Sequence, residues 1–333
     1  MVVARYRDTN DFEGGETFVF DGMTVVESGN NSEFGYFLDK PDIEVDVLRP
    51  ADPANQCGHR VYVTYSTFNG LTKDEKVQTK MNFASATVLG DEDPVFDSIK
   101  INKNFNQNQG SAIAVDPRAG EPGRSGGGGR VYVFWRHFFD PDAIIVRWSD
   151  TFGARWSNPE IITDDMAPFD QPTVPVNLTL GLEREDITFR SNAFPTAAVT
   201  ATGRVVAAWQ ERVDDDGSPD PLGTPRIVVM RSADGGGWEG LGNQGARVAI
   251  DANERSEPFD PGLLTPATQP HPRPSGPQVM PKLSFGGGQL MLSFYESRGW
   301  IAYDESGNEF FDYGEIEIGP QELAGEFWMS GYD

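Results

Sequence analysis

One pattern recurs four times along this chain and restricts its fold more than any other feature. A glycine or polar residue precedes a short strand of alternating apolar residues, and the strand closes on an aromatic residue. The closing aromatics lie 70, 74 and 85 residues apart. Self-similarity at a long, nearly fixed period indicates a repeat architecture. The four strands are His59–Tyr65, Gly129–Trp135, Gly203–Trp209 and Gly288–Phe294.

Each of these strands belongs to a predicted group of four. A short apolar strand precedes it, at Ile43–Leu48, Ala112–Val115, Thr196–Val199 and Val279–Phe285. A third strand follows, at Val77–Ser85, Ile144–Trp148, Ile227–Arg231 and Trp300–Asp304, and then a fourth, at Ser98–Asn102, Glu160–Thr163, Arg247–Ile250 and Glu315–Ile318. Four short strands in each repeat of this length are typical of a propeller blade.

The repeats divide the chain into one half blade, four blades and a remainder. Residues 1–28 supply two outer strands, at Val2–Tyr6 and Met23–Glu27, and form the half blade. The blades are predicted at 29–102, 103–163, 190–250 and 277–319, and 320–333 begin a further strand. The last segment is long enough for one strand at most. We therefore expect a single all-β domain that is an incomplete piece of a larger ring.

Composition supports this class and excludes several functions. The 37 glycines and 24 prolines favour many turns over long helices. A net charge of −24 is unsuited to nucleic acid or an anionic membrane surface. No apolar run is long enough for membrane insertion, and no signal peptide is visible. The single cysteine, Cys57, allows neither an internal disulfide nor a thiolate zinc site, so we expect no metal and no cofactor.

The predicted turns between third and fourth strands carry a second motif. Ser149-Asp-Thr-Phe-Gly-Ala-Arg-Trp156 and Ser232-Ala-Asp-Gly-Gly-Gly-Trp238 both join a hydroxyl, a glycine and an aromatic residue. Weaker versions occur at 11–18 and 305–310. In such a turn the hydroxyl binds backbone N–H groups, the glycine takes a positive φ and the aromatic packs between strands. We expect Trp156 and Trp238 to be substantially buried.

These motifs resemble the Asp-box (BNR) repeat of sialidase-like β-propellers, as does the segment Phe37–Asp46 (Phe-Leu-Asp-Lys-Pro-Asp-Ile-Glu-Val-Asp) at the start of an innermost strand. The resemblance covers nearly the whole chain. It implies a sialidase-like β-propeller of four-stranded antiparallel blades, here an incomplete six-bladed ring. It also implies an extracellular or periplasmic location.

In such propellers the loops that follow each second strand gather on one face. Two functions follow from the resemblance. The first is a binding propeller that presents this face to a glycan or an extracellular protein. The second is an exo-sialidase, a glycoside hydrolase with three substrate-binding arginines, a Tyr–Glu nucleophile pair and an Asp acid/base. The residues that would fill these roles are Arg136, Arg190 and Arg298, then Tyr295 with Glu211 or Glu296, and Asp39. The Arg-Ile-Pro motif of sialidases is absent, which favours binding and leaves catalysis open.

Overall fold

The structure is a computed structural model whose regular elements are all β-strands in the part of the chain that it describes. That part comprises residues 1–8, 18–30, 36–47, 58–69, 78–89, 93–102, 107–116, 118, 130–138, 141–170, 191–214, 218–240, 248–249, 259–260, 265–266, 278–296, 300–303, 309–312 and 327–332. Across these residues there is no helix with the length and apolar character needed to cross a membrane.

Two compact units make up the chain. The first comprises Met1–Asp164, Pro195–Val205 and Ser232–Gly237, and the second comprises Asp165–Phe194, Val206–Arg231 and Trp238–Asp333.

Three antiparallel sheets belong to the first unit. A two-stranded sheet pairs β1 (Val2–Asp8) with β2 (Phe18–Val25). The first full sheet has the order β3-β4-β5-β6, with the bounds Tyr36–Val47, Gly58–Asn69, Gln78–Leu89 and Asp97–Lys100. The second full sheet has the order β7-β8-β9-β10, with the bounds Gln107–Val115, Val131–Phe138, Ala143–Ser149 and Glu160–Thr163. The predicted four-stranded antiparallel sheet is therefore present in both cases.

The remaining strands follow in chain order. The first of them, β11 (Thr196–Val199), lies in the first unit. In the third sheet β12 (Val205–Val213) is followed by β13 (Thr224–Ser232), which pairs with both β14 (Glu239–Gly240) and β15 (Val248–Ala249). Two short pairs join β16 (Phe259–Asp260) to β17 (Thr265–Pro266) and β20 (Trp300–Tyr303) to β21 (Glu309–Asp312). The fourth sheet has the order β18-β19-β22, with the bounds Gln278–Gly286, Gln289–Glu296 and Phe327–Tyr332.

The four closing aromatics occupy four separate sheets, as the repeat predicts. Tyr65, Trp135, Trp209 and Phe294 lie on β4, β8, β12 and β19, and all four are buried. Each aromatic lies on the second strand of its sheet. The residues next to it on that strand are also apolar and buried, such as Val131–Phe134 on β8. The repeat therefore marks the core of each sheet.

Successive first strands lie side by side in the first unit. Strand β7 contacts β3, β4 and β5 of the first full sheet, and it also contacts β11. An apolar cluster fills the space between the two full sheets; Tyr62 and Phe83 come from one side, and Ile113, Val133 and Trp135 from the other. The sheets are therefore packed face to face through their apolar side chains rather than joined by a continuous hydrogen-bonded ladder.

The fourth sheet departs from the sequence prediction. The sequence places its third strand at Trp300–Asp304, whereas the structure pairs β22 with β19, from Leu290 opposite Tyr332 to Tyr295 opposite Phe327. Residues 300–303 pair with β21 instead. Both segments are aromatic-rich and can form a strand, and only long-range pairing distinguishes them. The predicted fourth strand at Glu315–Ile318 lies outside the described residues.

The two turns at Ser149–Trp156 and Ser232–Trp238, here called the box turns, have the predicted hydrogen bonds. The Ser149 hydroxyl accepts from the N–H groups of Thr151 and Gly153, at 3.2 and 2.9 Å. The Ser232 hydroxyl accepts in the same way from Asp234 and Gly235, at 3.2 and 2.9 Å. Thr151, at the position of the motif's aspartate, accepts instead from Arg155 N–H at 2.8 Å. A hydroxyl therefore replaces the carboxylate in the first turn.

The box tryptophans are largely but not completely buried. Trp156 and Trp238 both keep a minor part of their surface exposed. The ring of Trp156 meets the edge of Phe83, with a centroid distance of 4.9 Å and an interplanar angle of 76°. It packs against the apolar cluster from its margin, in agreement with the expectation of substantial burial.

Gly153 provides a prediction about the first box turn. Its φ is +92°, and a Cβ at this position would lie 2.2 Å from Phe83 Cε1. We expect Gly153→Ala to lower the free energy of unfolding by at least about 2 kcal/mol, because backbone strain and overpacking add. The matched control is Gly287→Ala, since Gly287 also has a positive φ (+60°) but nothing within 4 Å of its Cβ position. Chemical denaturation of both variants tests this. Equal losses of stability would show that the contact with Phe83 contributes nothing.

Candidate functional site

The second strands change character where they end, and we call this the exit end of each sheet. Residues up to the closing aromatic are mostly apolar, whereas the next two positions are polar or amphipathic. These positions are occupied by Ser66 and Thr67, Arg136 and His137, Gln210 and Glu211, and Tyr295 and Glu296. Buried polar groups are costly unless they are hydrogen-bonded, so a polar cluster that recurs at one end of successive sheets indicates function rather than stability.

A β-bulge in the first strand accompanies the exit end in three sheets. The bulges lie between Asp39 and Asp42, between Gln109 and Ala112, and between Val279 and Lys282. Their positive-φ residues are Lys40 (52°), Gly110 (70°) and Met280 (55°). Across the pair, Asp39 faces Ser66, Gln109 faces Arg136 and Val279 faces Tyr295. Ser66, Arg136 and Tyr295 therefore occupy equivalent positions in their sheets.

Asp39, the predicted acid/base, ties the first strands of the two full sheets together. Its Oδ2 accepts from Gln109 Nε2 at 2.9 Å. Two further bonds connect the same strands: Ile113 N–H donates to Asp42 Oδ2 at 2.9 Å, and the Ser111 hydroxyl donates to Lys40 O at 3.2 Å. Asp39 is partly exposed at this junction. A ligand that contacts Asp39 therefore also meets Gln109.

Arg136, a predicted substrate-binding arginine, is engaged by another side chain. Its Nε and Nη2 lie 2.9 and 2.6 Å from the two oxygens of Asp142, and its guanidinium lies 4.0 Å from the centroid of Phe138. The side chain is only 1% exposed. This bidentate geometry is the one a guanidinium uses for a substrate carboxylate. Asp142 therefore occupies the position that such a carboxylate would take.

His137 stands beside this ion pair and faces Asn108 on the neighbouring strand. The distance between His137 Nδ1 and Asn108 Oδ1 is 3.0 Å. Trp135 Nε1 donates to the same oxygen, also at 3.0 Å. Burial lowers the pKa of His137, and the nearby Asp142 carboxylate acts in the opposite direction. The imidazole is therefore biased towards its neutral form.

The second unit contains Gln210 and Glu211, and both are fully buried. Gln210 Nε2 donates to Phe169 O at 2.8 Å and also bonds the Ser191 hydroxyl, while its Oε1 accepts from Met280 N–H at 2.6 Å. Gln210 thus connects three segments of the unit. The backbone of Glu211 forms a bridge with Pro168. Because Glu211 is fully buried, its carboxylate is not accessible to a ligand from the surface.

Of the other candidates, two lie on β19 and two lie outside the described residues. Tyr295 is 47% exposed on β19. Glu296 follows it in the same strand. Arg190 and Arg298 lie outside the described residues. Within the first unit, the structure brings together Asp39 with Gln109 and Arg136 with Asp142.

Sequence reasoning missed two important residues at the exit end. Asn108 and Asp142 are fixed only by pairing across strands, and neither belongs to the repeat. One signal could have identified Asn108, since it sits two residues before Gly110 in the polar run Asn106–Gln109, ahead of the predicted first strand at Ala112–Val115. Within the described ranges no group of three or more His, Cys, Asp or Glu side chains is arranged to hold a metal ion.

Comparison with known proteins assigns no family. The sequence matches no family model and no curated protein. Among solved structures, the chain is similar to the α-L-arabinanase of Cellvibrio cellulosa, with 13% identity, a TM-score of 0.36 and coverage of 83% of this chain and 77% of that one. It is also similar to an exo-1,5-α-L-arabinanase from a bovine ruminal metagenomic library, with 11% identity, a TM-score of 0.34 and coverage of 76% and 74%. An α-L-arabinofuranosidase from Lactobacillus brevis shows 8% identity, a TM-score of 0.31 and coverage of 75% and 71%. Similarity at this level establishes neither a family nor an activity.

Proposed function

We propose that this protein is an Asp-box β-propeller of the sialidase-like type, located outside the cytoplasm, whose exit ends bind a glycan without cleaving it. The propeller is supported by the four-stranded sheets, the four aromatics in separate sheets and the side-by-side first strands β3, β7 and β11. The Asp-box assignment is supported by the hydrogen bonds of the box turns.

One observation carries the binding function. At equivalent positions of three sheets, the second strand ends in side chains that can hydrogen-bond, and the first strand opposite carries a bulge. Bulges redirect side chains near functional sites. Sugars are recognised by hydrogen-bonding groups and by aromatic surfaces. The exit ends of the first unit carry hydrogen-bonding groups in Asp39, Gln109 and His137, and an exit end of the second unit carries an aromatic surface in Tyr295.

A second candidate is exo-sialidase activity, and one observation favours it. Tyr295, the predicted nucleophile, is accessible at an exit end. The same mechanism would require Arg136 to bind substrate, and that guanidinium already contacts both oxygens of Asp142. We therefore place binding first and treat hydrolysis as the alternative.

A binding and turnover experiment separates the two functions. The purified protein is applied to an array of neutral and sialylated glycans, and hits are measured by calorimetry. In parallel, it is incubated with a fluorogenic α-sialoside. We expect at least one glycan to bind and no fluorophore to be released. Release that disappears in Tyr295→Phe would establish the sialidase instead.

Two exposed tyrosines provide matched variants for the binding arm. Tyr295 is 47% exposed at an exit end, and Tyr6 is 60% exposed on β1. We expect Tyr295→Ala to weaken glycan binding about tenfold or more, as for an aromatic contact worth about 1.4 kcal/mol. Tyr6→Ala should leave the affinity unchanged. If no glycan is retained, or if both variants bind like the wild type, glycan binding at the exit ends is wrong.

A further inference from the structure

We infer that Asn108 holds His137 as a neutral imidazole with its hydrogen on Nδ1, which makes Nε2 the hydrogen-bond acceptor of this side chain at the exit end of the second full sheet. The consequence, which rests on the proposed function, is that this position selects a sugar hydroxyl over a carboxylate. Asn108 is then a positioning residue and His137 a residue that determines specificity.

The orientation of the Asn108 amide is set by Trp135. An indole N–H can only donate, so the atom of Asn108 that lies 3.0 Å from Trp135 Nε1 must be the oxygen. The other half of the amide is consistent with this, because Nδ2 donates to Thr79 O at 3.4 Å. Asn108 N–H also bonds the Thr79 hydroxyl. The side chain is fully buried, so these partners hold the amide in one orientation.

The orientation of Asn108 in turn fixes the imidazole. Nδ1 of His137 lies 3.0 Å from the same Oδ1, which is an acceptor only. A carbonyl oxygen has two lone pairs and can accept from Trp135 and His137 together. Nδ1 must therefore carry a hydrogen. In the neutral ring the lone pair is then on Nε2, because a neutral imidazole has one donor and one acceptor.

The charge of the ring follows from its surroundings. Burial lowers the pKa of His137. Among the described residues, the charged group that acts on the ring is the Asp142 carboxylate, which is itself paired with Arg136 through two hydrogen bonds. Asp142 raises the pKa, but less strongly than burial lowers it. The ring is therefore neutral near pH 7, and Nε2 keeps its lone pair.

This arrangement discriminates between two ligand classes. A sugar hydroxyl can donate to Nε2, whereas a carboxylate has no hydrogen to donate and would require the imidazolium. The arginine beside it contacts Asp142, and the protein carries a net charge of −24. Both features disfavour an anionic ligand at this position. We therefore expect an uncharged sugar here.

The tautomer can be measured without any ligand. The chain has three histidines, so two-bond ¹H–¹⁵N spectra of histidine-labelled protein are simple, and the His137 signals are identified by their loss in His137→Gln. We expect a pyrrole-type Nδ1 and a pyridine-type Nε2 at pH 7, and a His137 pKa below the ordinary histidine value of about 6.5. Asn108→Asp keeps an acceptor oxygen and adds a charge, so it should raise the pKa of His137. Asn108→Leu should abolish the Nδ1–H preference. An Nε2–H tautomer in the wild type, or an unchanged tautomer in Asn108→Leu, would overturn the inference.

A ligand arm separates this inference from the proposed function. With a glycan that binds the wild type, His137→Leu should lose about tenfold in affinity, and His137→Gln, whose amide oxygen can accept, should lose less. Sialic acid that binds better than its uncharged counterpart, with His137 becoming imidazolium, would overturn the specificity although glycan binding would stand. If no glycan binds at all, the proposed function and this specificity fail together, while the tautomer measurement still tests the role of Asn108.

Discussion

Replacing Trp135 or Trp209 by alanine is expected to lower the free energy of unfolding by about 3–5 kcal/mol in each case. Both indoles are fully buried, and they occupy equivalent positions in consecutive sheets. Trp135 packs in the cluster between the two full sheets and also donates a hydrogen bond to Asn108. Its removal leaves a cavity in this cluster. The surrounding strands could fill the cavity only by shifting out of their present pairing.

The matched control is Trp156→Ala, because Trp156 touches the same cluster from its margin. A partly buried indole forfeits less apolar area, so we expect a loss of about 1–2 kcal/mol. Urea titrations followed by fluorescence give all three values. If Trp156→Ala costs as much as the other two, the repeat aromatics are not the anchors of their sheets.

Asp142→Ala is expected to cost about 3–5 kcal/mol, because it removes the carboxylate that Arg136 contacts through two nitrogens while the arginine remains buried. The double variant Arg136→Met with Asp142→Ala should recover most of that loss, since an apolar side chain then fills the same volume. The stability of the double variant is the more informative measurement. It separates the free-energy cost of burying an unpaired charge from the stabilisation that the ion pair itself contributes.

A second arginine–aspartate pair supplies the control for this experiment. Arg130 contacts Asp150 with the same bidentate geometry, at 2.6 and 3.2 Å, but Asp150 is 43% exposed. We expect Asp150→Ala to cost less than about 1 kcal/mol, as is usual for an exposed pair. Equal losses from the two aspartates would mean that burial does not decide the energetics of either pair.

The sequence predicts the second strands well and the edges of the sheets poorly. Alternation of apolar residues identifies β8 and β12 because their environment is uniformly buried, and one closing aromatic anchors each of them. The third strand of the fourth sheet is predicted wrongly because Trp300–Tyr303 and Phe327–Tyr332 have comparable strand propensity. Which of the two segments pairs with β19 depends on contacts between residues far apart in the sequence. Local patterns contain no information about that choice.

The candidate site was also predicted only in part: the sequence identifies residues on the second strands but not their partners. Spacing from the closing aromatic aligns Arg136 with Tyr295, and the bulges show the reason, because each first strand faces them in the same register. The partners of these residues could not be inferred. Asp142 reaches Arg136 across the β8–β9 turn, and Asn108 meets His137 only after the sheet has formed. Gly110 is a visible signal for a bulge, but Lys40 and Met280 take the same conformation without glycine.

The side-chain bonds between first strands give ligand binding an effect on the scaffold itself. The Asp39 carboxylate and the Gln109 amide hold two neighbouring sheets together at the exit end. A ligand that replaces one of these two groups as the hydrogen-bond partner of the other must break a bond between the sheets. The affinity for that ligand and the packing of the two sheets are therefore thermodynamically linked. By reciprocity, a substitution that loosens the two first strands changes the affinity for the ligand, even when the substituted residue never touches it.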